Sequence, residues 1–312
     1  MNLLVKIRRK LLGDQYFKET RRIKSKDGKI YYIIRRVPLG EGFFSNYFYV
    51  LSHVRYALEN GYFPVVDMQN YKTLYSEDEA INGTDNTWEY YFEAMKGIGL
   101  KEAYESDNYI LSSGKYLSEM GVPVYEVNQG HITDEMVKNL LPVVKEYMTV
   151  KAEIRNSVEM FIEQNGLKDC QTVGVHVRGT DMHVTQKGHT LPPKYEKITE
   201  QIDSLIKQDN SIRIFLCTDE EKVVDVMKKQ YGERIVCFDE YRASADDTSN
   251  KGLHKENKKT IRKHHRYLMG VEILKDALML SKCDYLICGI SNVTSAAVLF
   301  NGLEYREVRL IK

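Results

Sequence analysis

The sequence predicts an α/β protein in two parts, and three observations carry that prediction. From Thr172 onward, short apolar runs alternate with amphipathic helical stretches, the pattern of a parallel, doubly wound sheet. Nearer the N-terminus a strand, a glycine-containing loop, a helix and a second strand follow one another, which makes one more β-loop-α-β unit. The length of 312 residues also exceeds what one hydrophobic core usually serves, since single cores stop growing at roughly 250–300 residues.

Taken in order, residues 31–37 read as a strand. Residues 47–59 read as a helix with apolar positions at Tyr47, Val50, Leu51, Val54 and Leu58, and residues 63–66 as the next strand. Residues 71–129, rich in Tyr, Asn, Ser and Gly, show no clear period; they hold the single tryptophan, Trp88. Residues 135–164 are helical, with apolar side chains at Val144, Tyr147, Met148, Ile154, Val158, Phe161 and Ile162. An interruption is expected at Pro142, because proline lacks the backbone donor and crowds the preceding turn. Beyond it come strand 172–177, helix 195–207, strand 212–217, helix 221–230, strand 234–238, helix 269–280, strand 285–288 and helix 294–300. A basic tract over residues 251–266 (Lys255, Lys258, Lys259, Arg262, Lys263, His264, His265, Arg266) falls in the loop before helix 269–280. It reads as solvated chain, with a substrate-steering lid as the alternative.

Charge is nearly balanced, with 45 basic and 44 acidic residues and a formal net charge of +1, so no global field argues for nucleic acid. Any anion site is local. Five cysteines, Cys170, Cys217, Cys237, Cys283 and Cys288, sit mostly in apolar strand patterns without Cys-x-x-Cys spacing. They read as buried free thiols of a reducing compartment. No apolar run approaches the roughly 20 residues of a membrane span, and no secretory signal pattern is present, so a cytoplasmic protein is expected. Residues 1–12 are basic and apolar, suited either to peripheral contact with an anionic membrane or to a docked terminal helix.

The segment Val173-Gly174-Val175-His176-Val177-Arg178-Gly179-Thr180-Asp181 is the most informative. An alternating strand delivers three polar groups into a turn, and Arg178 falls at its carboxyl end, where open α/β sheets bind ligands. Its forked guanidinium matches phosphate oxygens; the plainer reading is an Arg–Asp pair closing the turn. Ser291-Asn292-Val293-Thr294-Ser295 follows a strand and opens a helix, so it can bind phosphate or simply cap the helix. Asp276 borders an apolar stripe (Ile273, Leu274, Ala277, Leu278, Leu280), where a carboxylate can face a cleft or stay in solvent. Gly40-Glu41-Gly42-Phe43-Phe44-Ser45 lacks the third glycine of a dinucleotide fingerprint, although Asp67 ends the next strand at a suitable distance. There is no Gly-x-x-x-x-Gly-Lys loop, no Asp-x-Asp and no Cys/His cluster of ligand spacing, so no metal is expected.

His176-x-Arg178-x-x-Asp181 resembles the His-x-Arg-x-x-Asp signature of the GDP-fucose-dependent fucosyltransferases, the superfamily of α1,2-, α1,6- and protein O-fucosyltransferases. Residues 38–46, with the helix and strand after them, are similar to that family's Gly-rich loop. Cys217-Thr218-Asp219-Glu220 resembles its Thr-Asp turn. Residues 276–292 look like the segment closing the nucleotide pocket of the α1,6 enzymes, where an aspartate eight residues before the strand's own aspartate accepts the guanine N1–H and N2–H; Asp276 and Asp284 keep that spacing. The resemblance covers the C-terminal half and one N-terminal patch. It implies a glycosyltransferase B-like fold of two Rossmann-like domains facing a cleft, residues 1–150 on the acceptor side and residues 151–312 binding the GDP-sugar.

What the resemblance implies for function is inverting transfer of a sugar, first of all L-fucose, to a glycan hydroxyl of a bacterial-type surface polysaccharide or oligosaccharide. GDP-fucose is the donor substrate, and no cofactor is expected. Gly40, Gly42, Phe43, Asn46, His176, Arg178, Asp219, Asp276, Ser291, Asn292, Thr294 and Ser295 are the implied nucleotide-sugar contacts. Arg178 and the 291–295 amides would stabilise charge growing on the leaving diphosphate, and Asp181, His183 and His189 are alternative general bases. Met182 and Gln186 stand where the α1,6 enzymes carry a lysine and a glutamate, which leaves base and linkage open. Two other readings remain. A nicotinamide-dependent oxidoreductase built on Gly40, Gly42 and Asp67 leaves His176, Arg178, Asp276 and Ser291 without a role. A catalytically silent nucleotide-sugar-binding module keeps the pocket without turnover.

Overall fold

The computed structural model describes residues 18–25, 28–36, 41–114, 132–177, 195–242 and 262–311. The chain divides into two compact units, Met1–Tyr125 with Pro142–Lys151, and Glu126–Leu141 with Ala152–Lys312. Each has its own sheet.

In the first unit β2 (Tyr31–Arg35) lies parallel to both β3 (Phe63–Asp67) and β4 (Asn108–Leu111), and β1 (Thr20–Ile23) adds to β4 antiparallel, giving the order β1-β4-β2-β3. Side chains alternate as a strand requires. Tyr31 and Ile33, with Val65, pack on Leu100 and Ala103 of α2 (Leu100–Glu105). Tyr32 reaches α1 (Phe43–Glu59), where its Oη lies 3.0 Å from His53 Nδ1. Helix α1 begins four residues ahead of the expected start. Gly42 forms its extended N-cap, and Phe43 is drawn into an aromatic cluster edge-on to Tyr75 and Tyr91.

The helical stretch is two helices, α3 (Asp134–Tyr147) and α4 (Ala152–Gln164), and the break does not fall at Pro142, which sits inside α3. It falls at residues 148–151, where Val150 bridges Phe92, Glu93 N–H donates to Thr149 O (2.8 Å) and Lys151 N–H donates to Tyr91 O (2.9 Å). Non-local pairing ends the helix there; proline does not.

The second unit is a five-stranded, all-parallel sheet in the order β7-β6-β5-β8-β9, formed by β5 (Thr172–Val177), β6 (Arg213–Thr218), β7 (Ile235–Val236), β8 (Tyr285–Cys288) and β9 (Glu307–Leu310). Strand order reverses between β5 and β8, the switch point outside whose carboxyl ends doubly wound sheets bind ligands. Val173 and Val175 face a core shared with α5 (Tyr195–Gln208) and α6 (Glu221–Tyr231), including Ile198, Ile202, Leu205, Val224 and Met227. On the other face Gly174 admits α7 (His265–Leu280): a Cβ there would lie 2.8 Å from Leu280 Cδ2 and 3.3 Å from Cys283 Sγ. His265 and Arg266 of the basic tract are the first turn of α7 and not loop; residues 251–261 lie outside the described residues.

Cys217, Cys283 and Cys288 are buried free thiols, while Cys170 and Cys237 are half-buried. Among the described residues no helix is long and apolar enough to cross a membrane. Residues 1–12 lie outside them.

Candidate functional site

The predicted residues of the second unit that are described, His176, Asp219, Asp276 and residues 291–295, lie at the carboxyl ends of β5, β6 and β8. His176, the buried penultimate residue of β5, is in register with Cys217 of β6 and Cys288 of β8. Residues in register on a parallel sheet point to one face, here the face covered by α7. Asp219 follows β6 in a turn closed by Glu220 N–H donating to Thr218 Oγ1 (3.3 Å).

After β8, Ser291 caps α8 (Asn292–Asn301) with a full capping box: its Oγ accepts from Thr294 N–H (3.1 Å), and Thr294 Oγ1 accepts from Ser291 N–H (3.1 Å). Ser295 N–H donates to Ser291 O (3.0 Å), and Thr294 and Ser295 are buried. The expectation that all five residues present amides to an anion therefore narrows. The Ser291 and Thr294 hydroxyls are engaged in the cap, and the Asn292 and Val293 N–H groups are those the helix end offers.

Asp276 sits on α7 against the end of β6, partly buried, and its Oδ2 accepts a hydrogen bond from Cys217 Sγ at 3.2 Å. A charged cluster surrounds it. The Glu240 side chain is 7% exposed, with Lys275 Nζ 3.5 Å away. Arg242 is equally enclosed and donates to Phe238 O (2.6 Å) and Thr218 O (3.3 Å), which fixes the segment after β7 over β6. Arg262 grips Glu272 through two 2.6 Å bonds. Burial pushes the Asp276 carboxyl up to about 7, against the Cys217 hydrogen bond and the Arg242 and Lys275 charges, which pull it down. Burial and the Asp276 charge push Glu240 well above the usual carboxylate range. The same two causes hold the Cys217 thiol protonated. Once ionised, the Asp276 carboxylate can accept two parallel N–H donors, and the start of α8 can take an anion.

In the first unit, Gly42 and Phe43 open α1. Phe43 N–H donates to Tyr75 Oη (2.9 Å), and its ring is core. A Cβ on Gly42 would meet nothing within 4 Å, so packing does not require a glycine there. Asn46 Nδ2 reaches Glu41 O (3.4 Å), and Asn46 and Phe43 line a small pocket whose wall includes Trp88, with its buried Nε1–H unbonded. Asp67 is fully buried, and its two oxygens accept from Gln69 N–H, Asn70 N–H, Asn70 Nδ2 and Tyr104 Oη. A carboxylate so occupied is not poised to bind a ribose, which removes the dinucleotide reading its support. Gly40, Arg178, Asp181, His183 and His189 lie outside the described residues. Among the described residues no cluster of His, Cys, Asp and Glu could hold a metal ion.

Sequence reasoning missed Cys217, Glu240 and Arg242, and, in the first unit, the buried pair Arg35 and Arg36. Arg36 lies over the Tyr49 ring (4.5 Å) and donates to Ser45 Oγ (3.3 Å) in the first turn of α1. Two arginines closing an apolar strand were the available signal there. For Glu240 and Arg242 there was none, because their burial depends on how the segment after β7 folds back.

The family model described as alpha-(1,6)-fucosyltransferase N- and catalytic domains matches residues 133–296, just over half of the chain. It spans His176, Asp219, Asp276 and Ser291 and stops short of the N-terminal patch. No curated protein matches. Solved structures similar to the chain include a NodZ alpha-1,6-fucosyltransferase soaked with GDP-fucose (15% identity, 88% of this chain and 93% of that one, TM-score 0.47). Fucosyltransferase NodZ from Bradyrhizobium (16%, 86% and 92%, TM-score 0.45) and a mutant of Arabidopsis thaliana FUT1 in complex with GDP (11%, 92% and 71%, TM-score 0.44) are also similar.

Proposed function

The chain belongs to the alpha-(1,6)-fucosyltransferase N- and catalytic domain family, and on that premise we propose that it transfers L-fucose from GDP-fucose to a glycan hydroxyl with inversion. The observation that carries this reading is the convergence of His176, the Asp276 carboxylate and the start of α8 at the sheet's switch point. Asp276 accepts the guanine N1–H and N2–H. The Asn292 and Val293 amides, with Arg178, stabilise the charge that grows on the β-phosphate as the sugar–phosphate bond breaks. One of Asp181, His183 and His189 takes the acceptor proton. The reading carries with it the glycosyltransferase B arrangement of two Rossmann-like domains, with residues 1–150 on the acceptor side and 151–312 on the donor side. It also carries a surface polysaccharide or oligosaccharide as acceptor, a cytoplasmic protein touching membrane through residues 1–12, and a reaction without metal or cofactor.

The test is initial rates with GDP-fucose and galactose-, glucosamine- and rhamnose-terminated acceptors, with and without EDTA. Transfer proceeds equally in both, the glycosidic product has the opposite anomeric configuration to the donor, and Arg178→Ala lowers turnover more than tenfold by removing a charge that faces the leaving group. Loss of transfer in EDTA with recovery in Mn²⁺ would contradict the metal-free mechanism. Arg178→Ala within twofold of the parent would remove that arginine's role.

A further inference from the structure

We propose that Cys217 is a positioning residue for the guanine-binding carboxylate, and that the cluster of Cys217, Asp276 and Glu240 holds a proton in the empty site that leaves to solvent when guanine binds. The inference rests on the reading of Asp276 as the guanine acceptor and adds to it a residue and a proton that the reading does not require.

The geometry carries it. Sγ of Cys217 lies 3.2 Å from Asp276 Oδ2, the one hydrogen bond recorded at this carboxylate among the described residues. Each carboxylate oxygen has two lone pairs, so a thiol on one lone pair of Oδ2 fixes the group's plane and leaves both oxygens able to accept. A protonated carboxyl cannot do that, because its O–H would face a guanine donor. Glu240, its side chain enclosed beside Lys275, feels the Asp276 charge, and two interacting carboxylates in an enclosed place do not both ionise readily.

The charged and titratable groups facing them come from every side. Cys217 and Asp219 stand at the end of β6, His176 beside them on β5, Glu240 and Arg242 after β7, and Glu272 and Lys275 on α7. Arg262 neutralises Glu272. Helix α8 contributes no charged residue, and α4 contributes Glu159, paired with Lys282 in solvent. Two cations, Lys275 and Arg242, thus face Asp276, Glu240, Asp219 and the already paired Glu272. The Cys217 S–H is the neutral donor that helps Asp276 stay ionised.

Calorimetric titration of the whole chain with GDP and with guanosine, which has no phosphate to titrate, tests this between pH 5.5 and 8.5 in buffers of different ionisation enthalpy. For the parent, guanosine affinity falls below a midpoint near neutrality by about tenfold per pH unit, and binding at the midpoint releases a fraction of a proton. Cys217→Val removes the donor and moves the midpoint upward, weakening binding about three- to tenfold at pH 7 but less than twofold at pH 8.5. Cys217→Ser restores the parent profile. A Val variant that superimposes on the parent, or that is weakened equally at every pH, overturns the positioning role. A parent that releases no proton overturns the coupling even if the Val variant fails to fold. Asp276→Asn separates the two layers: if it binds guanosine like the parent, the reading of Asp276 itself fails. If it loses binding while Cys217→Val changes nothing, only the present inference fails.

Discussion

At the scale of single residues, the buried Asp276 carboxylate carries a stability cost that pH should reveal. Burial holds the folded Asp276 carboxyl at about 7 against its usual 3.8, so the folded chain binds this proton more tightly than the unfolded chain does. The penalty is absent below the unfolded value, grows as pH rises from about 4 to 7, and is complete above that. Asp276→Asn removes it, so the variant should gain melting temperature over the parent at pH 8 and gain much less at pH 5. An equal gain at both, or a loss at pH 8, contradicts the burial account. Asp276 was singled out because its eight-residue spacing to Asp284 matches that of the family resembled, and the structure finds it against β6. Cys217 was not: a cysteine in an apolar strand reads as core, and only the packing of α7 on β6 brings its thiol to a carboxylate.

Among the elements, the close approach of α7 to the sheet holds Asp276 against β6, and Gly174 is what permits it. Gly174→Ala would push a Cβ into Leu280, which is fully buried, and into Cys283. Overpacking of this kind costs about 1–3 kcal/mol. Urea unfolding should show that loss together with weaker GDP binding, since α7 must shift; an unchanged midpoint would mean that the contact is soft. Elements with a strong local signal were readable, as with β8, whose apolar run between Asp284 and Gly289 is found with the expected bounds. Those defined by partners were not. Four-residue strands β1, β4 and β9 exist through pairing with distant neighbours, and the break after α3 comes from the Val150–Phe92 bridge, which no local propensity announces.

For the molecule as a whole, the two units give an α/β protein whose second sheet has the doubly wound order that alternation from Thr172 onward implied, while the first is mixed because β1 runs antiparallel. The family match, residues 133–296, spans β5 to β8 of the second sheet. The near-neutral charge supplies no global field for an anionic donor, so on the proposed reading selectivity should reside in the base as well as in the phosphates. The most direct measurement is calorimetric titration of the parent chain at pH 8 with GDP, UDP and NAD. GDP should bind at least about tenfold more tightly than UDP, as two charge-assisted hydrogen bonds to guanine require, with NAD weaker still. Equal binding of GDP and UDP, or preference for NAD, would contradict the account.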